Sequence, residues 1–135
     1  MDKLKATKYS TIDDKKRFIK QFKLFVESDY DIHKFPKWFY TRLSMCFGHI
    51  AHYNQMGFYD TFFRDITGKM DFISHCLSQG GVGDPGYTFA DAERQIQLWL
   101  MQKNILDKLK DVYTQSRLNL ERAEYERLKI KFEGK

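Results

Sequence analysis

The stretch from Phe35 to Leu77 constrains the fold of this chain more than any other part of the sequence. Aromatic and aliphatic residues recur in it at intervals of three and four, which places their side chains along one side of a helix. No part of the chain alternates apolar and polar residues over the length of a strand. The sequence therefore predicts an all-α protein whose core is built around this stretch.

Three helices are expected to pack into a bundle. The first follows an N-cap at Ser10 or Thr11 and buries one apolar face. The second begins at Pro36 and ends near Gly57, a residue suited to a helix C-cap. The third ends before the glycine-rich segment Gly80–Gly86, which predicts a flexible turn.

A long fourth helix is expected at the C-terminus, because neither glycine nor proline occurs between Gly86 and Gly134. Thr88 and Asp91 have the spacing of a capping box and would start this helix. A helix of about 45 residues is roughly 65 Å long, which is more than a bundle of this size can cover. We therefore expect residues 113–135 to project from the bundle.

Length and composition fit one domain covering residues 1–135, with a flexible basic N-terminus at residues 1–10. Two cysteines, Cys46 and Cys76, fall within predicted helices and fit a pair of reduced, buried thiols. The sequence shows no apolar leader and no apolar run long enough to span a membrane. We therefore expect a protein of the cytoplasm that does not bind membranes.

The projecting part of the long helix is the predicted site of protein binding. Tyrosine and arginine are enriched at the energetic centres of interfaces, and the leucines of this segment have no evident partner in their own chain. This pattern predicts a homodimer, and a surface that binds another protein or protein complex. The residues expected to make these contacts are Tyr113, Arg117, Leu120, Arg122, Tyr125, Arg127 and Leu128.

A lysine face on the first helix supports an alternative function, binding to nucleic acid. Lys16, Lys20 and Lys23 follow one another at helical spacing and could contact a phosphate backbone. A solvated helix face explains the same lysines, and a net charge of +5 is modest for a nucleic-acid-binding protein. We therefore place nucleic-acid binding second to protein binding.

Histidines in the central stretch raise a further alternative, a metal site. His49 and His52 are three residues apart, so one helix face can present both to a metal, and His75 with Cys76 could complete the ligands. Tryptophan and methionine share that face, which favours packing over metal binding. We expect no cofactor and no catalytic residue, because no nucleophile lies in a motif that would activate it.

The run from Phe47 to Phe63, FGHIAHYNQMGFYDTFF, resembles stretches in small uncharacterised proteins of bacteriophages and mobile elements. The resemblance covers a small part of the chain and assigns no role to any residue. It implies a compact, non-enzymatic protein that binds and inhibits a macromolecular complex in the host cytoplasm, such as a defence nuclease.

Overall fold

The computed structural model describes residues 3–47 and 54–133, and these ranges contain six α-helices and no strand. The predicted all-α class is therefore confirmed, together with a long C-terminal helix. A 3-10 turn, Ile32–Lys34, joins the first two helices. The bounds of the helices are α1 Ile12–Glu27, α2 Lys37–Cys46, α3 Gln55–Phe62, α4 Ile66–Gln79, α5 Ala90–Gln102 and α6 Ile105–Glu133.

Helix α1 begins at the predicted N-cap. The Thr11 side chain accepts a hydrogen bond from the backbone N–H of Asp14, and the Asp14 carboxylate accepts one from the backbone N–H of Thr11. This capping box satisfies N–H groups that have no partner inside the helix. Phe18, Phe22 and Phe25 follow at helical spacing and are completely buried, so the expected apolar face of α1 is confirmed.

The core is a cluster of phenylalanine rings from α1 and from the central stretch. The Phe25 ring lies 5.0 Å from that of Phe35, 5.9 Å from that of Phe39 and 4.9 Å from that of Phe63, centroid to centroid. Phe63 in turn meets Phe72 of α4 edge-on at 4.9 Å. Such tilted and edge-on pairs contribute beyond the area that they bury, and they tie four segments of the chain together.

The second predicted helix is shorter than the sequence suggested. Helix α2 ends at Cys46 rather than near Gly57. Gly57 is not a C-cap: it lies in the first turn of α3, and its N–H donates to the side chain of Asn54. Asparagine is a favoured N-cap residue because its side-chain oxygen can accept from a free helix N–H. This cap starts a new helix where the sequence pattern had predicted the end of one.

The third predicted helix is divided at residues 63–65. The Asp65 side chain caps α4 by accepting the N–H of Gly68 at 2.8 Å. A Cβ atom at Gly68 would lie 2.7 Å from the carbonyl oxygen of Phe62. Helix α3 and helix α4 therefore meet so closely that only glycine fits at this position, which explains the glycine inside an apolar helix.

The predicted helix of about 45 residues is in fact α5 and α6, separated by Lys103 and Asn104. Asn104 has φ of +52°, a left-handed conformation that asparagine tolerates better than most residues. The predicted capping box is also wrong. The Thr88 hydroxyl donates to the carbonyl of Asp84, α5 has Phe89 as its N-cap with no side-chain cap hydrogen bond, and the carboxylate of Asp91 pairs with Lys15 of α1.

An ion pair between α1 and α5 is buried inside the molecule. The Lys15 ammonium lies 2.8 Å from the Asp91 carboxylate and 2.8 Å from the carbonyl oxygen of Pro85. Asp91 also accepts from the backbone N–H groups of Lys5 and Ala92. The N-terminal segment, α1, the glycine-rich loop and α5 thus converge on one pair of opposite charges.

The glycine-rich loop at residues 80–86 is held by side chains of α5. The Gln97 amide donates to the carbonyl of Gly80, and the Arg94 guanidinium donates to that of Gly81. The Gly81 N–H donates to the carboxylate of Glu93. Gly81 and Gly83 have φ of +83° and +114°, which only glycine adopts easily.

Candidate functional site

The second half of α6 leaves the body of the molecule. Leu106 and Leu109 pack against the core, and Tyr113 is half-buried. Beyond Tyr113, every residue from 114 to 133 is exposed. At 1.5 Å per residue this part of the helix extends about 30 Å. We call residues 114–133 the projecting segment, and its side chains are free to contact another molecule.

Large apolar side chains are exposed along the projecting segment. Leu118, Tyr125 and Phe132 are seven residues apart, so they lie on one line along the helix, and Leu128 stands beside them. Leu118 is 51%, Tyr125 62% and Phe132 70% exposed. Leu120, 71% exposed, lies on the opposite side. Sequence reasoning missed Leu118 and Phe132, although their seven-residue spacing from Tyr125 could have revealed them.

The arginines predicted as contact residues are also exposed. The Arg117 guanidinium donates to the hydroxyl of Tyr113 at 3.2 Å, and Arg127 pairs with Glu124 one turn away. Arg122 is exposed on the same segment. Pairs three and four residues apart support an exposed helix. They help the projecting segment to stay helical in water.

A recess of about 350 Å³ marks the place where α6 leaves α4. Ile66 of α4 lines one side of it, and Tyr113 and Leu120 of α6 line the other. Leu120 therefore adjoins a hollow that an apolar side chain of a partner could enter.

The lysines predicted to bind nucleic acid lie together along a second surface feature, a groove of about 690 Å³ beside α1. Segments from three parts of the chain line it: the N-terminal residues, the outer face of α1 and one residue of α5. We call it the lysine groove, and its lining residues are Lys3, Leu4, Ile12, Lys16, Ile19, Lys20, Lys23, Leu24, Glu27 and Gln95.

The lysine groove combines charge with an apolar floor. Lys3, Lys16 and Lys20 are exposed, and Lys23 is half-buried with its ammonium 5.8 Å from the ring centre of Trp99. Four aliphatic side chains lie between the lysines. Sequence reasoning found the three lysines of α1 but missed the groove, because Gln95 of α5, which also lines it, is distant from them in sequence.

Of the four predicted metal ligands, the described part of the chain includes His75 and Cys76. His49 and His52 lie outside the described residues, so their prediction is untested. His75 is half-buried on α4, and Cys76 beside it in sequence is completely buried. Among residues 3–47 and 54–133, no group of three histidine, cysteine or acidic side chains could hold a metal ion.

Both thiols are unlike reactive cysteines. Burial raises the pKa of the Cys46 thiol well above its usual range, and the negative charge of nearby Glu93 raises it further. Burial likewise raises the pKa of Cys76. Burial also raises the pKa of Glu93, although hydrogen bonds from Gly81 and Cys46 oppose that effect. A nucleophilic cysteine needs a lowered pKa, so this cluster favours packing over chemistry.

Within the described ranges, no helix combines the length and the apolar composition that are needed to cross a bilayer. Comparison with protein-family models, with curated proteins and with solved structures finds no match for this chain. The roles proposed for its residues therefore come from their geometry.

Proposed function

We propose that this chain is a non-enzymatic interaction protein that binds a partner protein through the projecting segment of α6. One observation carries the proposal: the segment is a helix of about 30 Å on which large apolar side chains are exposed. Exposed apolar patches of this kind are typical of protein-binding surfaces.

Burial of the apolar line on the projecting segment would stabilise a complex. Complete burial of one leucine or phenylalanine side chain contributes about 1.5–3 kcal/mol. Leu118, Tyr125, Leu128 and Phe132 can present a continuous edge to a groove or to another helix, because they are three, four and seven residues apart. While the projecting segment is exposed to water, these side chains bury no apolar surface. Binding to a partner would remove that surface from water.

Two kinds of partner fit this surface. A second copy of the chain would pair apolar line with apolar line, giving the homodimer predicted from the sequence. The resemblance carried by the run from Phe47 to Phe63 implies a host macromolecular complex, such as a defence nuclease, whose activity the bound protein would inhibit.

The test compares the full chain with a variant in which the apolar line is made polar. The variant is Leu118→Ser, Tyr125→Ser, Phe132→Ser. A matched control replaces three exposed polar residues of the same segment, Gln115→Ser, Asn119→Ser, Glu126→Ser. Light scattering after size-exclusion chromatography should give the unmodified chain and the control a mass near twice 16.2 kDa, and the apolar-line variant a mass near 16.2 kDa.

If the unmodified chain is a monomer in this measurement, the proposed homodimer is excluded. The host partner is then tested by capture from a native lysate, with the same two variants as baits. Proteins retained by the unmodified chain and by the control, but not by the apolar-line variant, support the proposal. If all three baits retain the same proteins, the projecting segment is not a binding surface.

Nucleic-acid binding is the second candidate function. In its favour, Lys16, Lys20 and Lys23 line one groove together with Lys3. Against it, no arginine lines the groove and its floor is aliphatic, whereas a phosphate backbone needs neither apolar floor nor enclosure. Titration of a labelled duplex and a labelled single strand at increasing salt tests it. Affinity that is absent at low salt, or that does not fall as salt rises, excludes this function.

A further inference from the structure

We infer that the lysine groove binds an acidic amphipathic helix of a partner protein. This second binding site lies beside α1, away from the projecting segment of α6. It therefore goes beyond the proposed function and does not depend on it.

The groove has the length of a helical segment. Its α1 residues run from Ile12 to Glu27, which corresponds to about 22 Å along the helix axis. Lys3 and Leu4 of the N-terminal segment and Gln95 of α5 also line it. A helix of about four turns laid along α1 would fill this space, in the manner of other helix-in-groove complexes.

The floor of the groove offers apolar contact along its length. Ile12 and Leu24, towards its two ends, are each 40% exposed. Ile19 lies between them at 7% exposure, and Leu4 from the N-terminal segment is half-buried. A partner helix with leucines on one face would cover these side chains and remove apolar surface from water.

The charges along the groove favour an acidic occupant. Four lysines line it against one acidic residue, Glu27. None of the four lysines forms an ion pair within the described part of the chain, unlike their neighbour Lys15, which is paired and buried. Lys16, Lys20 and Lys23 are spaced by four and three residues. Glutamates at the same spacing on an adjacent helix would face them.

The aliphatic floor favours an acidic amphipathic helix over nucleic acid as the ligand of the groove. Non-specific nucleic-acid binding relies on charge, with aromatic side chains on which bases can stack. The groove is lined by lysines and aliphatic side chains, with no aromatic ring among its lining residues. Charge and apolar contact together match an amphipathic acidic helix.

The experiment measures fluorescence anisotropy of a labelled synthetic peptide. The peptide is about 16 residues of leucine, alanine and glutamate, with leucines on one helical face and glutamates on the other. A second peptide has the same composition in scrambled order. The full-length protein should bind the amphipathic peptide with a micromolar dissociation constant, and the scrambled peptide at least about tenfold more weakly.

Variants of the protein then test whether the peptide binds in the lysine groove. Lys16→Glu with Lys20→Glu should weaken binding by about tenfold or more, and Leu24→Ser should weaken it by about threefold. The matched control, Lys108→Glu with Lys110→Glu, makes the same change of charge at exposed positions of α6 and should leave binding unchanged. Thermal unfolding of each variant checks that the fold is intact.

Three outcomes overturn the inference. One is no binding of the amphipathic peptide at about 100 µM protein. Another is equal binding of the amphipathic and scrambled peptides, or equal loss in the groove and control variants. The third is binding of a nucleic-acid strand through Lys16 and Lys20 that Leu24→Ser does not weaken, while the peptide fails to bind. Each of these leaves the projecting segment of α6 untouched as a binding surface.

Discussion

The ammonium of Lys15 and the carboxylate of Asp91 lie 2.8 Å apart, with 0% and 1% of their side chains exposed. Taking two charges out of water is costly, and their attraction offsets that cost only with good geometry and further hydrogen bonds. Both conditions hold, since Lys15 also donates to the carbonyl of Pro85, and Asp91 accepts two backbone N–H groups. The pair links α1 to α5, and its lysine also holds the glycine-rich loop at Pro85.

Removing one member of this pair should destabilise the protein strongly. Lys15→Met leaves the Asp91 charge buried without its partner, so we expect urea unfolding to show a loss of about 3–5 kcal/mol. Adding Asp91→Asn removes that charge while the amide oxygen can still accept backbone N–H groups, and it should restore part of the loss. Lys16→Met, at the exposed neighbouring position, should change stability by less than about 0.5 kcal/mol.

Acid should weaken the same contact. Burial alone would raise the pKa of Asp91, but hydrogen bonds from Lys15, Lys5 and Ala92 outweigh it, and the pKa is lowered. A carboxylate with a lowered pKa contributes stability above its unfolded pKa of about 3.9, and loses it as pH falls through the folded value. Urea unfolding between about pH 5 and pH 2 should show this loss. The loss attributable to Asp91 should be absent in Asp91→Asn; an identical acid profile in that variant would contradict the assignment.

Alkaline conditions should also destabilise the fold. Burial raises the pKa values of Cys46, Cys76 and Tyr30. In the unfolded chain the thiols ionise near about pH 8.5, while the folded protein keeps their protons, so stability falls as pH rises further. Unfolding free energies measured with a reductant from about pH 7 to pH 10 should decline. In Cys76→Ala the decline should be shallower, even though the variant begins from a lower stability.

Gly68→Ala should destabilise the protein although alanine favours helices. The added Cβ would lie 2.7 Å from the Phe62 carbonyl oxygen and 2.9 Å from that of Thr61, and backbone atoms cannot move aside as a side chain can. We expect a net loss of about 1–3 kcal/mol after the gain in helix propensity. Thr67→Ala, exposed in the same helix turn, should be neutral or slightly stabilising. Equal stability of the two variants in urea would show that α3 and α4 separate easily.

The fold class and the apolar faces could be predicted from the sequence because periodicity reports them directly. The buried face of α1 and its cap at Thr11 follow from residue types at fixed spacing. The breaks between helices could not be predicted from residue types at fixed spacing. At Asp65 and at Asn104 the chain turns without proline, because a side-chain cap or a left-handed backbone makes each new start possible. Such breaks depend on close packing between helices, and hydrophobic periodicity does not report it.

The Lys15–Asp91 pair has only part of its signal in the sequence. Lys15 stands three residues before Phe18 and seven before Phe22, on the buried stripe of α1. The three-residue spacing of Thr88 and Asp91 predicts a capping box instead of a partner for Lys15. A lysine within an apolar stripe suggests a buried partner, but the sequence does not say which acidic residue the tertiary fold will bring to it. The lysine groove could not be predicted for the same reason, because Lys3 and Gln95, which both line it, are far apart in the chain.

Four glycines within residues 80–86 suggest the weakest point of the chain to a protease. The structure indicates that the loop is protected, because the side chains of Arg94, Gln97 and Lys15 each donate a hydrogen bond to one of its carbonyl groups. Proteases cut most readily where the backbone is exposed and is not held by hydrogen bonds. A broad-specificity protease should therefore cleave the exposed projecting segment of α6 before the glycine-rich loop. The rest of the protein should remain as one resistant fragment.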